Sequence, residues 1–532
     1  MKNRPYPYYE LVQAKDMKDM MEVRARENTD DLAFWWSEKK DVIVKKTFGD
    51  YKNDVDALGT FIFGEGLKDK HIVIVGENCY EWIVAFMAII KGSSCAVLID
   101  KELPADRVRE LAEQADSTAV FASDKQAEYF SETDLKVYKL SSMQEYIEKG
   151  RASIEAGDTS FQDNEIDREK LAAIFFTSGT TGKSKGVMLN QRNMAQDINF
   201  ACKHFFPAGD TLAALPFHHA FGLMTAVFAV FNYRKAAYIN KSLKQIQRDL
   251  KIAKPATMLL VPLFVETFYK LIMNSVRKQK KEKKLAAGGR ISNMLLAVGI
   301  DKRDTMFQEV RDGLGGNLKS IISGGAHLDP KYVKAFRTWG IDIMCGYGIT
   351  ECSPVLSVNR NEYWKDGSVG PALPGCEVKI NEEGHIVTKG DHVMMGYYKN
   401  EEATAEVMKD GWFDTGDLGR IDEDGFIFIT GREKNLIILS NGENVSPEEI
   451  ENEFLKHEEI AEVVVFGEKG KLVAEIFPAE GHIGDQEFFD KIAEKWSKGQ
   501  PAYKKISKVV LRDTEFEKNS TKKIIRYKKQ DS

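Results

Sequence analysis

The feature that most constrains this chain is an alternation of short apolar runs with helical stretches. His71 to Val75 reads as a buried strand. A helical stretch follows from about Tyr80, and Ser94 to Ile99 returns as a second apolar run. This is a βαβ unit, and it predicts an α/β fold. The same logic recurs at Ile174 to Phe176, Met258 to Val261, Ser320 to Ser323 and Ile341 to Cys345, several of which end in glycine-rich turns. Open α/β sheets bind ligands at the carboxyl ends of their strands, so those turns are where chemistry is expected.

At 532 residues the chain is long enough for about three or four compact units. From about 355 to 430 the texture changes to short alternating segments broken by glycine turns, such as Asn381 to Gly384 and Asp422 to Gly425, which predicts a small β-rich subdomain. A boundary follows near Gly431. Ser446-Pro447-Glu448-Glu449 reads as a helix start, with serine at the N-cap, proline first in the helix and glutamate three residues after the cap. Two apolar runs, Val463 to Phe466 and Leu472 to Phe477, and a polar helix near Asp485 to Lys498 complete about one hundred residues of α+β, small enough to move as a unit. The expected architecture is a large body of doubly wound sheets with a β-barrel-like subdomain over 1–431, a hinge at 432–434 and a small mobile domain over 435–532.

Charge and composition exclude several classes. A formal net charge of −6 gives no basis for nucleic-acid binding. The six cysteines form no Cys-x-x-Cys pair and no His/Cys cluster of metal-ligand spacing, as expected of reduced thiols in a cytoplasm. The longest apolar run, Trp82 to Ile90, falls far short of the roughly twenty residues that span a bilayer. The first ten residues lack the apolar core of a signal peptide. One basic run, RKQKKEKK from Arg277 to Lys284, reads either as a solvated face or as a contact with anionic lipid at the membrane periphery.

The most informative stretch is Phe176-Thr177-Ser178-Gly179-Thr180-Thr181-Gly182-Lys183-Ser184-Lys185-Gly186. It follows a strand. Its small residues let backbone N–H groups approach phosphate oxygens, its hydroxyls add donors and its lysines add charge. A Walker A loop would need glycine at position 177, where this chain has threonine. The stretch resembles instead the phosphate signature of the acyl-adenylate-forming superfamily, Thr-Ser-Gly-Thr-Thr-Gly-x-Pro-Lys-Gly, with Ser184 in place of the proline.

Further segments resemble the same superfamily in the same order. Leu215-Pro216-Phe217-His218-His219-Ala220-Phe221-Gly222 is similar to the segment lining the acyl pocket, with His219 on the motif histidine and apolar Phe217, Phe221, Leu223 and Met224 suited to an alkyl chain. Ser323-Gly324-Gly325-Ala326 resembles the adenine-side turn. Gly346-Tyr347-Gly348-Ile349-Thr350-Glu351 implies that Tyr347 packs on adenine, Thr350 bonds the α-phosphate and Glu351 holds Mg2+. An aromatic face suits a base, and a hard cation takes carboxylate and phosphate oxygens. Gly411 to Asp417 resembles the ribose motif, with Asp417 accepting both hydroxyls and Arg432 reaching ribose or phosphate. Lys434 matches the hinge, Gly442 the loop along the pantetheine channel, and Lys523 the catalytic lysine of a C-terminal motif in which Lys522 replaces the usual glycine.

The resemblance implies an enzyme that uses ATP and Mg2+ to activate a carboxylic acid as an acyl-adenylate, releases pyrophosphate, and passes the acyl group to a thiol after rotation of the small domain. Asp100 to Pro104, the long stretch between Phe268 and Gly316, and Ile321 to Leu328 are similar to the long-chain fatty acyl-CoA synthetase branch. This makes medium- to long-chain fatty acids the expected substrates and coenzyme A the expected acceptor. An acyl carrier protein as acceptor, a luciferase-type oxidation and an inactive nucleotide- or acyl-binding protein are the alternatives.

Overall fold

The computed structural model describes residues 5–39, 42–177, 184–439, 443–518 and 524–526. It divides into two compact units, Met1–Glu377 with Thr388–Phe413, and Val378–Val387 with Asp414–Ser532.

The first unit is built on two sheets. In one of seven strands, the strands Leu171–Thr177, Cys95–Leu98, His71–Val75, Ser117–Ala122 and Lys136–Lys139 are parallel neighbours in that order. Lys185–Asn190 and Gly396–Tyr397 extend the first edge antiparallel. The central strand shows why its sequence is a continuous apolar run: Ile72 to Val75 are buried without exception, as in a sheet covered on both faces. The helix Tyr80–Lys91 is buried at every position but Glu81. Its terminal Lys91 is held in that interior by Asp56 at 2.6 Å and Glu22 at 3.1 Å, the pairing a buried cation requires.

The second sheet has eight strands. Six are parallel neighbours: Asp342–Gly348, Ser320–Ser323, Thr257–Leu260, Thr211–Ala213, Ala237–Ile239 and Leu32–Lys39, with an antiparallel strand on each edge. Every apolar run read as a strand in the sequence is a strand here, displaced by at most three residues at either end.

The basic run is neither one helix face nor one loop. The helix Pro262–Lys278 ends inside it, Lys280 turns the chain at φ 55°, and the helix Glu282–Ala297 begins. All its residues but Lys281 are exposed. No helix among the described residues is long and apolar enough to cross a membrane.

In the second unit, Trp412–Ile421 and Ile427–Arg432 form an antiparallel hairpin around the predicted Asp422 to Gly425 turn. Ile460–Glu468, Lys471–Pro478 and Ile506–Leu511 form a three-stranded sheet. The helices Pro447–Phe454 and Gln486–Ser497 pack on it through Ile450, Phe454, Phe489 and Ile492. The expected capping box at Ser446 does not form. Ser446 is the N-cap, but its hydroxyl donates to the Thr430 carbonyl at 2.9 Å and lies 3.0 Å from Glu448 Oε2. The reason is a close approach: a Cβ on Gly431 would lie 2.3 Å from Ser446 Oγ, so the neighbouring strand takes the hydroxyl that a free helix end would have used. Glu449 instead pairs with Lys504 at 2.8 Å.

Candidate active site

In the first unit, the carboxyl ends of the parallel strands carry the motifs. Thr177 closes one strand and pairs with Lys185 across the hairpin, and its hydroxyl donates to the Lys185 carbonyl at 3.4 Å. Ser178, Gly179, Thr180, Thr181 and Gly182 lie outside the described residues. Lys185 Nζ stands 4.5 Å from the centre of the Tyr397 ring, and the Tyr397 hydroxyl donates to Glu351 Oε1 at 2.9 Å. Burial, reinforced by the Glu351 carboxylate, pushes the Tyr397 phenol well above its ordinary range. It therefore stays a neutral donor and fixes the carboxylate. Among the described residues, Glu351 Oε2 makes no hydrogen bond. Thr350 and Glu351 share a short 3-10 turn at Thr350–Cys352, directly after the strand Asp342–Gly348. Gly348 permits this turn, because a Cβ there would lie 1.9 Å from the Pro354 carbonyl oxygen.

Tyr347, Gly348, Gly324 and Gly325 border a largely apolar cavity of about 100 Å³. Phe205, Phe221, Thr225, Ala229, Val230, Leu259, Ile322 and Val358 line its depth. Ala326, next along the adenine-side turn, is not among the lining residues. Phe221 opens the π-helix Phe221–Ala229, in which the Thr225 hydroxyl donates to the Phe221 carbonyl. The expected pocket residues separate. Phe221 lines the cavity, whereas Phe217 packs edge-on against Trp82, and Leu223 and Met224 are fully buried away from it. Gly222 has no room for a side chain, since a Cβ would lie 2.3 Å from the Pro216 carbonyl oxygen. His219 precedes this helix and stands against His218, with ring centres 4.1 Å apart.

In the second unit, Asp417 and Arg432 face each other on paired strands. Arg432 Nε donates to Asp417 Oδ1 at 2.5 Å and Nη2 to Oδ2 at 3.4 Å. The Asp417 side chain is 3% exposed and that of Arg432 is 49% exposed. A buried carboxylate oriented by a guanidinium is a strong acceptor for hydroxyl donors. Lys434 lies exposed in the Glu433–Asn435 turn that follows. Gly442 and Lys523 lie outside the described residues. Lys518 and Ile524 form a β-bridge, Lys518 pairs with Glu462 and Glu515, and Arg526 pairs with the buried Glu451.

Asp417→Ala is expected to weaken ATP binding. A charged hydrogen bond contributes about 1.5–3 kcal/mol, so roughly a tenfold to hundredfold rise in the ATP dissociation constant is the outcome that calorimetry checks. An unchanged constant refutes the ribose role.

Tyr397, Thr225 and Ala229 escaped the sequence reading. Tyr397 reaches Glu351 only because Gly396–Tyr397 adds to the edge strand Lys185–Asn190, a pairing with no local signature. The cavity-lining positions of the π-helix sit in a stretch that is apolar apart from Gly222 and Thr225, so nothing local marks which of them face the cavity.

The AMP-binding enzyme family profile matches residues 21–398. The chain belongs to the AMP-binding enzyme family. The profile of the AMP-binding enzyme C-terminal domain matches residues 434–531. Among curated relatives, the long-chain-fatty-acid–CoA ligase FadD15 of Mycobacterium bovis is 29% identical over 441 residues, covering 77% of this chain and 73% of the relative. The chloroplastic long-chain-fatty-acid–[acyl-carrier-protein] ligase AEE15 of Arabidopsis thaliana is 27% identical over 515 residues, covering 78% and 70%. Among solved structures, the anthranilate CoA ligase AuaEII with anthranoyl-AMP superposes with a TM-score of 0.78 at 18% identity, covering 98% of this chain and 96% of that one. The o-succinylbenzoate CoA synthetase MenE of Bacillus subtilis with ATP and magnesium gives 0.73 at 22%, covering 95% and 98%. At such identities the structures establish the fold of this AMP-binding enzyme.

Proposed function

We propose that this AMP-binding enzyme is an acid–thiol ligase that activates a medium- to long-chain fatty acid with ATP and transfers it to coenzyme A. One observation carries the reading. A largely apolar cavity opens at Tyr347 and Gly324-Gly325, and the next turn along the chain presents Thr350 and Glu351. An alkyl chain in that cavity would present its carboxylate beside the groups assigned to the nucleotide.

A carboxylate cannot be attacked by a thiol directly, because oxide is a poor leaving group. Attack of a carboxylate oxygen on the ATP α-phosphorus forms the acyl–phosphate anhydride and expels pyrophosphate. Attack of the thiol on the acyl carbon then expels AMP. Charge builds on phosphate oxygens in the first step, so fixed positive groups dominate its catalysis. Glu351, with Oε1 held by Tyr397 and Oε2 available, fits Mg2+, which when bound neutralises phosphate charge. Thr350 bonds the α-phosphate, Thr177 to Gly182 and Lys185 hold the distal phosphates, Tyr347 stacks on adenine beside Gly325, Ala326 and Gly348, and Asp417 and Arg432 hold the ribose. His219 orients the acyl carboxylate. Residues 1–431 form the adenylating body, 432–434 the hinge about Lys434, and 435–532 the moving domain that exchanges Lys523 for the Gly442 loop.

The carrier-protein alternative is favoured by the likeness to AEE15. Both readings are separated by supplying palmitate, ATP and Mg2+ with either coenzyme A or a holo acyl carrier protein, and identifying the thioester. Palmitoyl-CoA is the expected product, and a thioester formed on the carrier protein alone transfers the assignment.

The enzyme is expected in the cytoplasm, in peripheral contact with anionic membranes. The exposed basic run supports this, as do Ile291 and Met294, exposed on the helix that follows it, and Val298, exposed at its C-cap. A lipid surface near several lysines contributes roughly 1 kcal/mol for each. Binding to phosphatidylglycerol vesicles should therefore collapse when Lys280, Lys283 and Lys284 are changed to glutamate, whereas equal binding to zwitterionic vesicles assigns the run to an ordinary solvated face.

A further inference from the structure

His218 is the residue of the acyl segment for which the reaction has no use. Together with His219 and Asp100 it brings three metal-ligating atoms within 4.8 Å of one another. The trio comes from two sheets. Asp100 follows the strand Cys95–Leu98, and the histidines follow Thr211–Ala213. Asn78, in the loop after the strand His71–Val75, braces the histidine segment: its Nδ2 donates to the Leu215 carbonyl at 2.8 Å and its Oδ1 accepts the Phe217 N–H at 3.0 Å. Asp100 Oδ1 accepts the Glu102 N–H at 2.9 Å.

Two of the three separations are close to those of ligands around one ion. His218 Nε2 lies 3.1 Å from His219 Nε2 and 3.4 Å from Asp100 Oδ1. Ligands at about 2.0–2.1 Å from a tetrahedral zinc ion are separated by roughly 3.3–3.4 Å. The two imidazole nitrogens can share one proton as a hydrogen bond, and a metal ion in the same gap would instead take both lone pairs and the carboxylate oxygen. The side chains of His218 and Asp100 are 7% and 14% exposed, so the site is walled yet reachable.

We propose that Asp100, His218 and His219 form a site for a borderline divalent transition ion of the zinc class, with the fourth position left to water or an exchangeable ligand. Two imidazoles and one carboxylate select zinc, cobalt or nickel and disfavour magnesium, so the site is chemically distinct from the carboxylate at Glu351. The ion binds whatever acid the enzyme activates.

The test titrates the untagged, metal-free full chain with cobalt, whose visible d–d bands report tetrahedral geometry. One equivalent with intense bands is expected, displaced by zinc and not by magnesium. His218→Gln and Asp100→Asn should each weaken binding by at least about tenfold. Zinc should raise the thermal unfolding midpoint of the unmodified chain and not of either variant, and Asp100→Asn alone decides the matter where His218→Gln fails to fold. Weak octahedral bands, no binding, or bands of unchanged affinity in a folded variant overturn the site without touching the adenylation reading.

Discussion

Lys523→Ala is expected to cut acyl-adenylate formation by several orders of magnitude while leaving thioester formation from pre-made acyl-adenylate near its original rate. The lysine is assigned the charge that develops on the α-phosphate, a contribution confined to the first half-reaction. Removing a single group that stabilises such charge typically costs about 10²–10³ in rate, and a full cation in a water-poor site costs more. The two half-reactions are measured separately, by pyrophosphate release without coenzyme A and by thioester formation from synthetic acyl-adenylate. Equal loss in both withdraws the assignment, because a defect common to both is a folding or nucleotide-binding defect.

A second large effect is expected along a substrate series from acetate to oleate. Each methylene buried in an apolar cavity contributes about 0.8 kcal/mol, or roughly fourfold in affinity. The specificity constant should therefore climb by orders of magnitude until the cavity ends. The cavity also predicts how to shorten the optimum. Ala229 lines it, and Ala229→Phe places a ring in the path of the chain. This variant should lose far more activity on palmitate than on octanoate, with a control melt to detect the cost of overpacking, about 1–3 kcal/mol. A maximum at acetate, or at benzoate or cinnamate, discards the fatty-acid reading and leaves the adenylation chemistry in place.

The family, the α/β class and the motif order were legible in the sequence for a physical reason. Buried parallel strands must be continuous apolar runs, and phosphate-binding turns must be small, hydroxyl-rich and charged, so both leave local signatures. His71 to Val75 reads as a strand within five residues, and the stretch from Thr177 to Lys185 carries its expected phosphate role within nine. The divided acyl segment was not legible in this way. Phe217, Phe221, Leu223 and Met224 are equally apolar in sequence, and only the path of the π-helix decides that Phe221 borders the cavity while the other three pack into the interior. The Ser446 hydroxyl had a local partner by every capping rule, and the close approach at Gly431 gave it another. Tyr397 over Lys185 and against Glu351, and Asp100 beside two histidines, join residues 46 to 212 positions apart, the last trio brought from two different sheets. Local sequence determined which groups this protein offers for the proposed handling of phosphate and acid; only the packing of distant strand ends determined which of those groups meet, because side-chain contact across a sheet depends on topology and register that no short stretch of chain encodes.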